Sequence, residues 1–392
     1  MPSGRRRILH FIESGGVYGA ERVILNLSRE MQLTPDLHPV VGCIVNSTQE
    51  QSDLYDAALV QGIDAIKIPI PNARLPVALP QAARLLREQN IDLIHSHGYK
   101  PSVFGFAIRL MTGIPIITTC HLWFEPNKAP FKTRVMVALE KIFYRGFPCV
   151  IAVSEPIKQI LIDHGIKPNK IQVIKNGVDI PELNLSDSEK SALRAELGLS
   201  ASTFCVLNAG RLARQKSQRT LIEAAAILKR DINASKEDSV TPTDIRMVII
   251  GEGPLEQELR RLVVQHELEN WVSLLGFRSD IDRLLAITDV FALPSLDEGM
   301  PMALLEAAAA QVAIITTAVG DIPKLITHDV TGLIVPKEDP QALADAIKTL
   351  AANKEKRKQL AIAACLSMQK QNSSHAMGQQ YHAVYQNLLA RP

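Results

Sequence analysis

The chain of 392 residues has few cysteines and almost no net charge. Its five cysteines are isolated, and none belongs to a Cys-x-x-Cys pair, which argues against a zinc site and against a disulfide framework. That pattern suits the reducing cytoplasm. A net charge of +2 argues against a protein dedicated to nucleic-acid binding, because such proteins usually have a strongly basic surface.

The sequence also lacks an uninterrupted apolar run long enough to cross a membrane. Residues 300–319 come nearest, but they contain Pro301, Glu306 and Gln311, and a charged group at the centre of a bilayer is costly. We therefore predict a buried helix and a buried strand there, and no transmembrane helix. The N-terminus is basic, but the apolar run after it is too short for a signal peptide.

What the sequence does contain is an alternation of short β-branched runs with longer amphipathic stretches, which is typical of βαβ units and a parallel sheet. A polar stretch, residues 181–202, divides two such series and is the predicted linker. The predicted fold class is α/β, with two Rossmann-like, doubly wound domains at residues 1–180 and 203–373. The predicted strands are residues 7–12, 39–45, 65–68, 93–97, 114–118 and 149–153, then 204–208, 247–250, 272–275, 290–293 and 313–316.

Two glutamates near the C-terminal end carry the most information. Glu298 and Gly299 follow the predicted strand at residues 290–293, and Pro301 suits the first turn of a helix. Glu306 is then expected about two turns along that helix. This arrangement places Glu298 at the carboxyl edge of a sheet, where ligands bind in open α/β folds.

A basic loop opens the second domain. Gly210, Arg211 and Lys216 follow the strand at residues 204–208, and a guanidinium and an ammonium on one loop can clamp a diphosphate. The alternative is a solvated basic loop. Gly253, Gly276 and Phe277 also lie in predicted strand-to-helix turns, at the edge where a nucleotide base would contact the backbone.

A glycine-rich loop follows the first strand. Gly15 and Gly16 precede a helix, where backbone N–H groups can approach a phosphate. The loop matches neither a Walker loop nor the Rossmann glycine pattern, so a plain tight turn is the equal alternative.

Histidines and aspartates leave a metal site open but weakly supported. His95 and His97 end a strand with their imidazoles on one face, but the sequence offers no third ligand, so His97 is expected at the site with His95 packed beneath it. His121 leaves the fifth strand at its carboxyl end, with a satisfied loop histidine as the alternative. Asp280 and Asp282 favour helix capping over metal binding.

Basic residues concentrate in the first half of the chain. Residues 1–180 carry 20 Lys and Arg against 15 Asp and Glu. Residues 127–145 interleave basic and apolar residues, which suits a helix lying on an anionic membrane. A core-facing helix with a solvated basic face is the alternative.

Together these motifs resemble those of the glycosyltransferases of family four, the large GT-B group with glycosyl transferase group 1 domains. The resemblance covers most of the chain and is strongest over residues 203–340. It implies two domains that face a central cleft, with the C-terminal helix, residues 374–392, packed back on the N-terminal domain. The motifs that carry it are Gly15-Gly16, His121, Asn176-Gly177-Val178-Asp179, Gly210-Arg211 with Lys216, Gly251-Glu252-Gly253-Pro254, and Glu298 with Glu306.

The resemblance also implies residue roles. Arg211 and Lys216 would hold the donor diphosphate, Glu298 the donor sugar, and Glu306 the ribose. His121 would line the acceptor side, and His97, expected at the site from its place at the end of a strand, is the second acceptor-side residue. The implied catalytic residues are His121, Glu298, Arg211 and Lys216. The implied donor site comprises Gly15, Gly16, Gly210, Arg211, Lys216, Gly253, Gly276, Phe277, Glu298, Gly299, Met300, Pro301, Leu305 and Glu306.

The expected activity is retaining transfer of a hexosyl or N-acetylhexosaminyl unit from a nucleotide diphosphate sugar to a glycan or glycolipid of the cell envelope, such as lipopolysaccharide. No metal or other cofactor and no nucleic acid is expected. The expected location is the cytoplasm, with peripheral contact to the inner membrane. The alternatives are a nucleotide-sugar 2-epimerase and a non-catalytic sugar-nucleotide-binding subunit. The sequence departs from the family at Gln311-Val312-Ala313 and at Gly320-Asp321-Ile322-Pro323-Lys324, which concerns the preference for a donor sugar.

Overall fold

The computed structural model describes residues 4–121, 142–181, 185–234 and 244–390. The chain divides into two compact units. The first unit takes in Met1–Gly177 and Asn372–Pro392, and the second takes in Val178–Gln371. Residues 181–202, the predicted linker, lie in the second unit and contain a helix, Asp187–Glu196. Most of the predicted basic stretch, residues 127–141, and residues 235–243 of a polar loop lie outside the described residues.

The first unit is built on a seven-stranded parallel sheet of order β3-β2-β1-β4-β5-β6-β7. Its central strands are almost wholly buried, as expected for parallel strands covered by helices on both faces. The strands are β1 (Arg6–Ile12), β2 (Leu37–Val45), β3 (Asp64–Pro69), β4 (Leu93–His97), β5 (Ile116–Cys120), β6 (Val150–Ala152) and β7 (Ile171–Val173).

Helices connect these strands, and one more returns from the end of the chain. Ser154 and Ser373 cap two of the helices, each accepting a hydrogen bond from a backbone N–H of the first turn. In the described part of this unit the helices are α1 (Gly19–Gln32), α2 (Asp53–Val60), α3 (Leu75–Glu88), α4 (Tyr99–Thr112), α5 (Glu155–Asp163) and the C-terminal α14 (Ser374–Leu389), and residues 142–146 are also helical.

The second unit has a six-stranded parallel sheet of order β10-β9-β8-β11-β12-β13. Its strands are β8 (Phe204–Ala209), β9 (Ile245–Ile250), β10 (Val272–Leu274), β11 (Val290–Leu293), β12 (Ala313–Thr317) and β13 (Leu333–Val335). Its helices are α6 (Asp187–Glu196), α7 (Gln218–Ala234), α8 (Glu256–Gln265), α9 (Ile281–Leu285), α10 (Met302–Ala309), α11 (Ile322–Leu325), α12 (Pro340–Ala352) and α13 (Lys354–Gln371).

The structure confirms the α/β class and the two doubly wound sheets. It adds two three-residue strands, β7 and β13, that the sequence pattern did not predict. The fifth strand runs two residues later than predicted, since Pro115 lacks the N–H that a strand interior needs.

Strand order reverses once in each sheet, between β1 and β4 and between β8 and β11. In open α/β sheets, ligands bind beyond the carboxyl ends of the strands at such a reversal. Within the described ranges, none of the helices combines the length and the apolar composition that crossing a bilayer requires.

Candidate functional site

The loop between β11 and α10 carries Glu298 at the strand-order reversal of the second unit. Helix α10 begins at Met302, and Pro301 is its N-cap residue, so the prediction that Pro301 lies in the first turn was wrong. Because the carbonyl of Pro301 accepts the first helical hydrogen bonds, Glu306 lies only about one turn into the helix rather than two.

Lys216 and Glu298 form an ion pair, with Lys216 Nζ 2.5 Å from Glu298 Oε1. Ser295 donates a hydrogen bond of 2.7 Å to the same oxygen. The side chains of Lys216 and Glu298 are only 16% and 9% exposed. A backbone bond from Leu296 to the carbonyl of Gln215 ties the two loops together. The structure thus brings two predicted site residues into direct contact.

The other predicted donor-site residues of the second unit differ in burial. Glu306, Met300 and Leu305 are buried in or beside α10, as is Pro301. Arg211 is exposed at the start of the loop that ends at Lys216. Gly299 and Phe277 are half-buried.

Glycines in three successive loops pack backbone against backbone. Gly251 has a φ of +129°, and a Cβ there would lie 2.1 Å from the carbonyl oxygen of Gly210. A Cβ at Gly253 would lie 2.3 Å from the carbonyl oxygen of Leu212, and Gly251 donates a hydrogen bond to Gly276. These glycines therefore position the Arg211–Lys216 loop, and direct contact with a nucleotide stays a prediction.

Gly320 is a supporting residue whose role the sequence did not reveal. Its φ is +54°, and a Cβ there would lie 2.0 Å from the carbonyl oxygen of Glu298. The next residue, Asp321, donates its backbone N–H to Gly299 at 3.0 Å. The loop after β12 thus supports the Glu298 loop. The sequence signal that could have revealed this role was a glycine that follows a predicted strand at the same edge of the sheet as Glu298.

Asp280 and Asp282 stand at the start of α9, but the side chain of Asp280 binds an arginine rather than the helix backbone. Arg278 donates to both carboxylate oxygens of Asp280 at 2.8 Å and thereby holds the pKa of that carboxyl below its usual value. Asp280 occupies the N-cap position of α9 but makes no side-chain capping bond, so the capping prediction was wrong. The guanidinium two residues earlier outcompetes the backbone N–H groups.

In the first unit, the glycine-rich loop follows β1 and precedes α1. Gly15 is exposed and Gly16 is buried. Gly15 lines a cavity together with Glu13, Asn46 and Glu50. Lys100 forms an ion pair with Glu13. The two carboxylates favour hydroxyl groups over a phosphate in this cavity.

Imidazoles gather at the strand-order reversal of the first unit. The rings of His95 and His97 lie 4.1 Å apart, which confirms that they share one face of β4. His97 Nδ1 lies 3.0 Å from His121 Nε2, so the two predicted acceptor-side histidines are in contact. A third buried imidazole, His10 of β1, lies 3.2 Å from His97. The sequence missed His10 because its proximity depends on the pairing of β1 with β4.

These histidines are uncharged at neutral pH. Burial lowers the pKa of His10 to about 3 and that of His121 to about 4, and it also lowers the pKa values of His95 and His97. Ligand atoms of His10, His95 and His97 lie within 4.8 Å of one another. Both nitrogens of His95 are already hydrogen-bonded, to Tyr385 and Thr119 at 2.7 Å, which disfavours a metal centre.

Two family models and several known proteins match most of this chain. Residues 17–182 match the family described as Glycosyltransferase Family 4, and residues 189–365 match Glycosyl transferases group 1. The chain belongs to the family-four glycosyltransferases. Across 98% of its length, this glycosyltransferase superposes with a TM-score of 0.81 on all of Alr3699/HepE from Anabaena, crystallised with UDP and glucose, at 23% identity. That likeness shows the GT-B fold.

Two curated relatives are also glycosyltransferases. The Escherichia coli UDP-Gal:alpha-D-GlcNAc-diphosphoundecaprenol alpha-1,3-galactosyltransferase is 29% identical over 86% of this chain and 85% of its own length. A D-inositol 3-phosphate glycosyltransferase of Pseudarthrobacter chlorophenolicus is 27% identical over 80% of this chain and 78% of its own length. The enzyme is a nucleotide-sugar-dependent glycosyltransferase. The relatives do not favour the epimerase or the non-catalytic subunit.

Proposed function

We propose that this glycosyltransferase moves a hexosyl or N-acetylhexosaminyl unit from a nucleotide diphosphate sugar to a glycan or glycolipid acceptor of the cell envelope, with retention at the anomeric carbon. The observation that carries the proposal is the contact between Lys216 and Glu298 at the strand-order reversal of the second unit. One group suits a diphosphate and the other suits sugar hydroxyls.

The donor site follows from the charges around this pair. Both Lys216 and Ser295 bind Oε1 of Glu298, so Oε2 is the oxygen that fits a hydroxyl group of the donor sugar. The ammonium of Lys216 has three donors and can bind a phosphate oxygen while it keeps Glu298. Fixed positive charge at Lys216 and Arg211 would stabilise the negative charge that grows on the leaving diphosphate. For this reason we propose that the reaction needs no metal ion.

Retention is proposed to occur by attack on the face from which the diphosphate leaves. The acceptor oxygen bonds to the anomeric carbon while the bond from that carbon to the diphosphate oxygen breaks. The proton of the acceptor hydroxyl passes to a leaving phosphate oxygen. The ion pair of Glu298 with Lys216 supports this route, since a carboxylate whose charge is paired is a weaker nucleophile.

The acceptor is proposed to be a lipid-linked glycan. Support comes from the Escherichia coli relative, whose name specifies a diphosphoundecaprenol acceptor. Acceptor hydroxyls would lie beside His121 and His97, and the enzyme would work in the cytoplasm at the inner face of the membrane.

The first test is thermal stability with UDP-, GDP-, ADP- and dTDP-sugars, with and without EDTA. A donor at 100 times its dissociation constant should stabilise the protein by about 2.7 kcal/mol. We expect one nucleotide to give this shift whether or not EDTA is present. No shift with any donor, or a shift that EDTA abolishes, would contradict the donor site.

The second test is transfer from that donor to diphosphoundecaprenol-linked N-acetylglucosamine or to inositol phosphate, with the product's anomeric configuration read by NMR. Transfer to the lipid with retention is expected. Use of the soluble acceptor alone would refute the glycolipid assignment, and inversion would refute the mechanism.

A further inference from the structure

A row of hydrogen bonds links Met31, His10, His97 and His121 in the first unit, and we call these four residues the histidine relay. Met31 Sδ lies 3.3 Å from His10 Nε2, and His10 Nδ1 lies 3.2 Å from His97 Nε2. His97 Nδ1 lies 3.0 Å from His121 Nε2. Met31, His10 and His97 are at most 2% exposed, whereas His121 is half-buried.

The sheet explains why these side chains meet. His10, His97 and His121 come from β1, β4 and the residue after β5, which are neighbouring strands. The register pairs His10 with His95 and His97 with Thr119, so the residues at these positions share one face. Helix α1 supplies Met31 on that face. The histidine relay therefore leads from the interior of the first unit to the carboxyl edge of its sheet.

The direction of these bonds follows from the methionine. A thioether sulfur accepts hydrogen bonds and never donates them, so His10 Nε2 must carry the proton that faces Met31. A neutral imidazole has one N–H, so His10 Nδ1 accepts a bond from His97 Nε2. By the same rule, His97 Nδ1 accepts from His121 Nε2. The Nδ1 atom of His121 is then left with a lone pair and no proton.

We propose that Met31, His10 and His97 are positioning residues that fix His121 as the Nε2–H tautomer, so that its Nδ1 accepts a hydrogen bond from a substrate hydroxyl group. This inference rests on the proposed acceptor-side role of His121. It specifies the chemistry of the group bound: a hydroxyl can donate to Nδ1, but a phosphate or carbonyl oxygen cannot.

A second set of hydrogen bonds fixes His95, whose ring packs against the histidine relay. The ring of His95 packs 4.1 Å from that of His97 and is fixed by Tyr385 and Thr119. Thr119 in turn lies 3.0 Å from the hydroxyl of Tyr381. Both tyrosines belong to α14 and are buried, which excludes water that could otherwise reverse the tautomers.

The test uses the full-length protein labelled with nitrogen-15 at histidine, because nitrogen chemical shifts distinguish protonated from unprotonated ring nitrogens. Loss of one signal set in His121→Gln assigns His121. We expect Nε2–H and a bare Nδ1 at His121, His97 and His10 in the wild type. A proton on Nδ1 of His121, or a doubly protonated ring at any of the three, would overturn the proposal.

Met31→Leu removes the acceptor while nearly keeping the volume. We expect His121 to shift toward the Nδ1–H form and transfer to fall by about three- to tenfold, the loss of one hydrogen bond in the transition state. Met377→Leu is the matched control, because Met377 is also buried in the first unit and its sulfur accepts a hydrogen bond, but from Gly177. An unchanged tautomer in Met31→Leu, or the same change in Met377→Leu, would overturn the role of Met31.

The outcomes separate this inference from the proposed function. Transfer activity together with a proton on Nδ1 of His121 would overturn the inference about the histidine relay and leave the proposed function standing. The expected tautomer without transfer to any acceptor overturns the proposed function alone. If the purified protein holds one equivalent of tightly bound zinc, and His10→Gln loses it, then these histidines form a metal site and the inference is wrong.

Discussion

At the scale of single residues, the contact between Lys216 and Glu298 lowers the free-energy cost of burying each charge in the protein without substrate. Two partly buried charges of opposite sign offset each other's loss of hydration, and Ser295 adds a hydrogen bond to the carboxylate. A donor diphosphate would bring extra negative charge to Lys216. In the proposed reaction, the pair would hold the ammonium in place for the leaving group without leaving Glu298 as an isolated buried anion.

We expect Lys216→Ala to lower the transfer rate by about 100-fold or more, the usual effect of removing one preorganised donor to a developing negative charge. Lys229→Ala is the control, since Lys229 binds the carbonyl of Glu267 in the same unit, away from the predicted site. Steady-state kinetics on both variants, with circular dichroism to check folding, measures the effect. A folded Lys216→Ala enzyme with the wild-type rate would refute the assignment.

The buried histidines predict a pH dependence of stability. In the folded first unit the pKa of His10 is lowered to about 3, whereas the unfolded chain should have the ordinary value of about 6.5. Below pH 6.5 the unfolded state therefore binds the additional proton, and stability falls as the pH falls toward the folded value. At pH 5 the loss from one such histidine is about 2 kcal/mol.

Hydrogen-exchange mass spectrometry on peptides of β1 and β4 at pH 7.5 and 5.0 measures this loss. We expect the loss to be about 2 kcal/mol smaller in His10→Asn than in the wild type, because one titrating group is gone. The same pH dependence in both proteins would mean that His10 is protonated in the folded state.

At the scale of secondary-structure elements, the sequence predicted what depends on local pattern. The strands around Glu298 and Arg211 were predicted within a residue or two, because buried parallel strands are nearly continuous apolar runs. The third imidazole, His10, depends on which strands are neighbours, and the role of Gly320 depends on a close approach between two loops. Neither strand order nor loop contact leaves a periodic signal in the sequence.

The close approach of Gly320 to the Glu298 loop predicts that adding one methyl group at Gly320 weakens donor binding. A Cβ at Gly320 would meet the carbonyl oxygen of Glu298 at 2.0 Å, in addition to the strain of a φ of +54°. Gly198 has a φ of +67° but open space around a Cβ, so Gly198→Ala is a matched control that carries only the backbone strain, about 1–2 kcal/mol.

We expect Gly320→Ala to displace the Glu298 loop and to weaken donor binding at least tenfold, whereas Gly198→Ala should leave donor affinity unchanged. Isothermal titration with the donor found in the stability screen measures the difference. Equal affinities in the two variants would show that the loop after β12 does not support the donor site.

At the scale of the whole molecule, the first unit depends on the last helix of the chain. Residues 178–371 separate α14 from the rest of that unit. Tyr381 and Tyr385 of α14 are at most 1% exposed, and their hydroxyl groups bind Thr119 and His95. The second unit, in contrast, draws all six of its strands from one continuous segment.

A chain that ends at Gln371 should therefore lose the fold of the first unit and keep that of the second. Truncating one large buried aromatic side chain costs about 3–5 kcal/mol, and losing two approaches the whole stability of a domain, about 5–15 kcal/mol. Hydrogen-exchange mass spectrometry should show β1 and β4 unprotected and β8 and β11 protected. A chain ending at Ala390 is the control and should match the wild type. Protection of β1 and β4 in the shorter chain would mean that the buried tyrosines contribute less than their burial indicates, and that the histidines they cover stay dry without them.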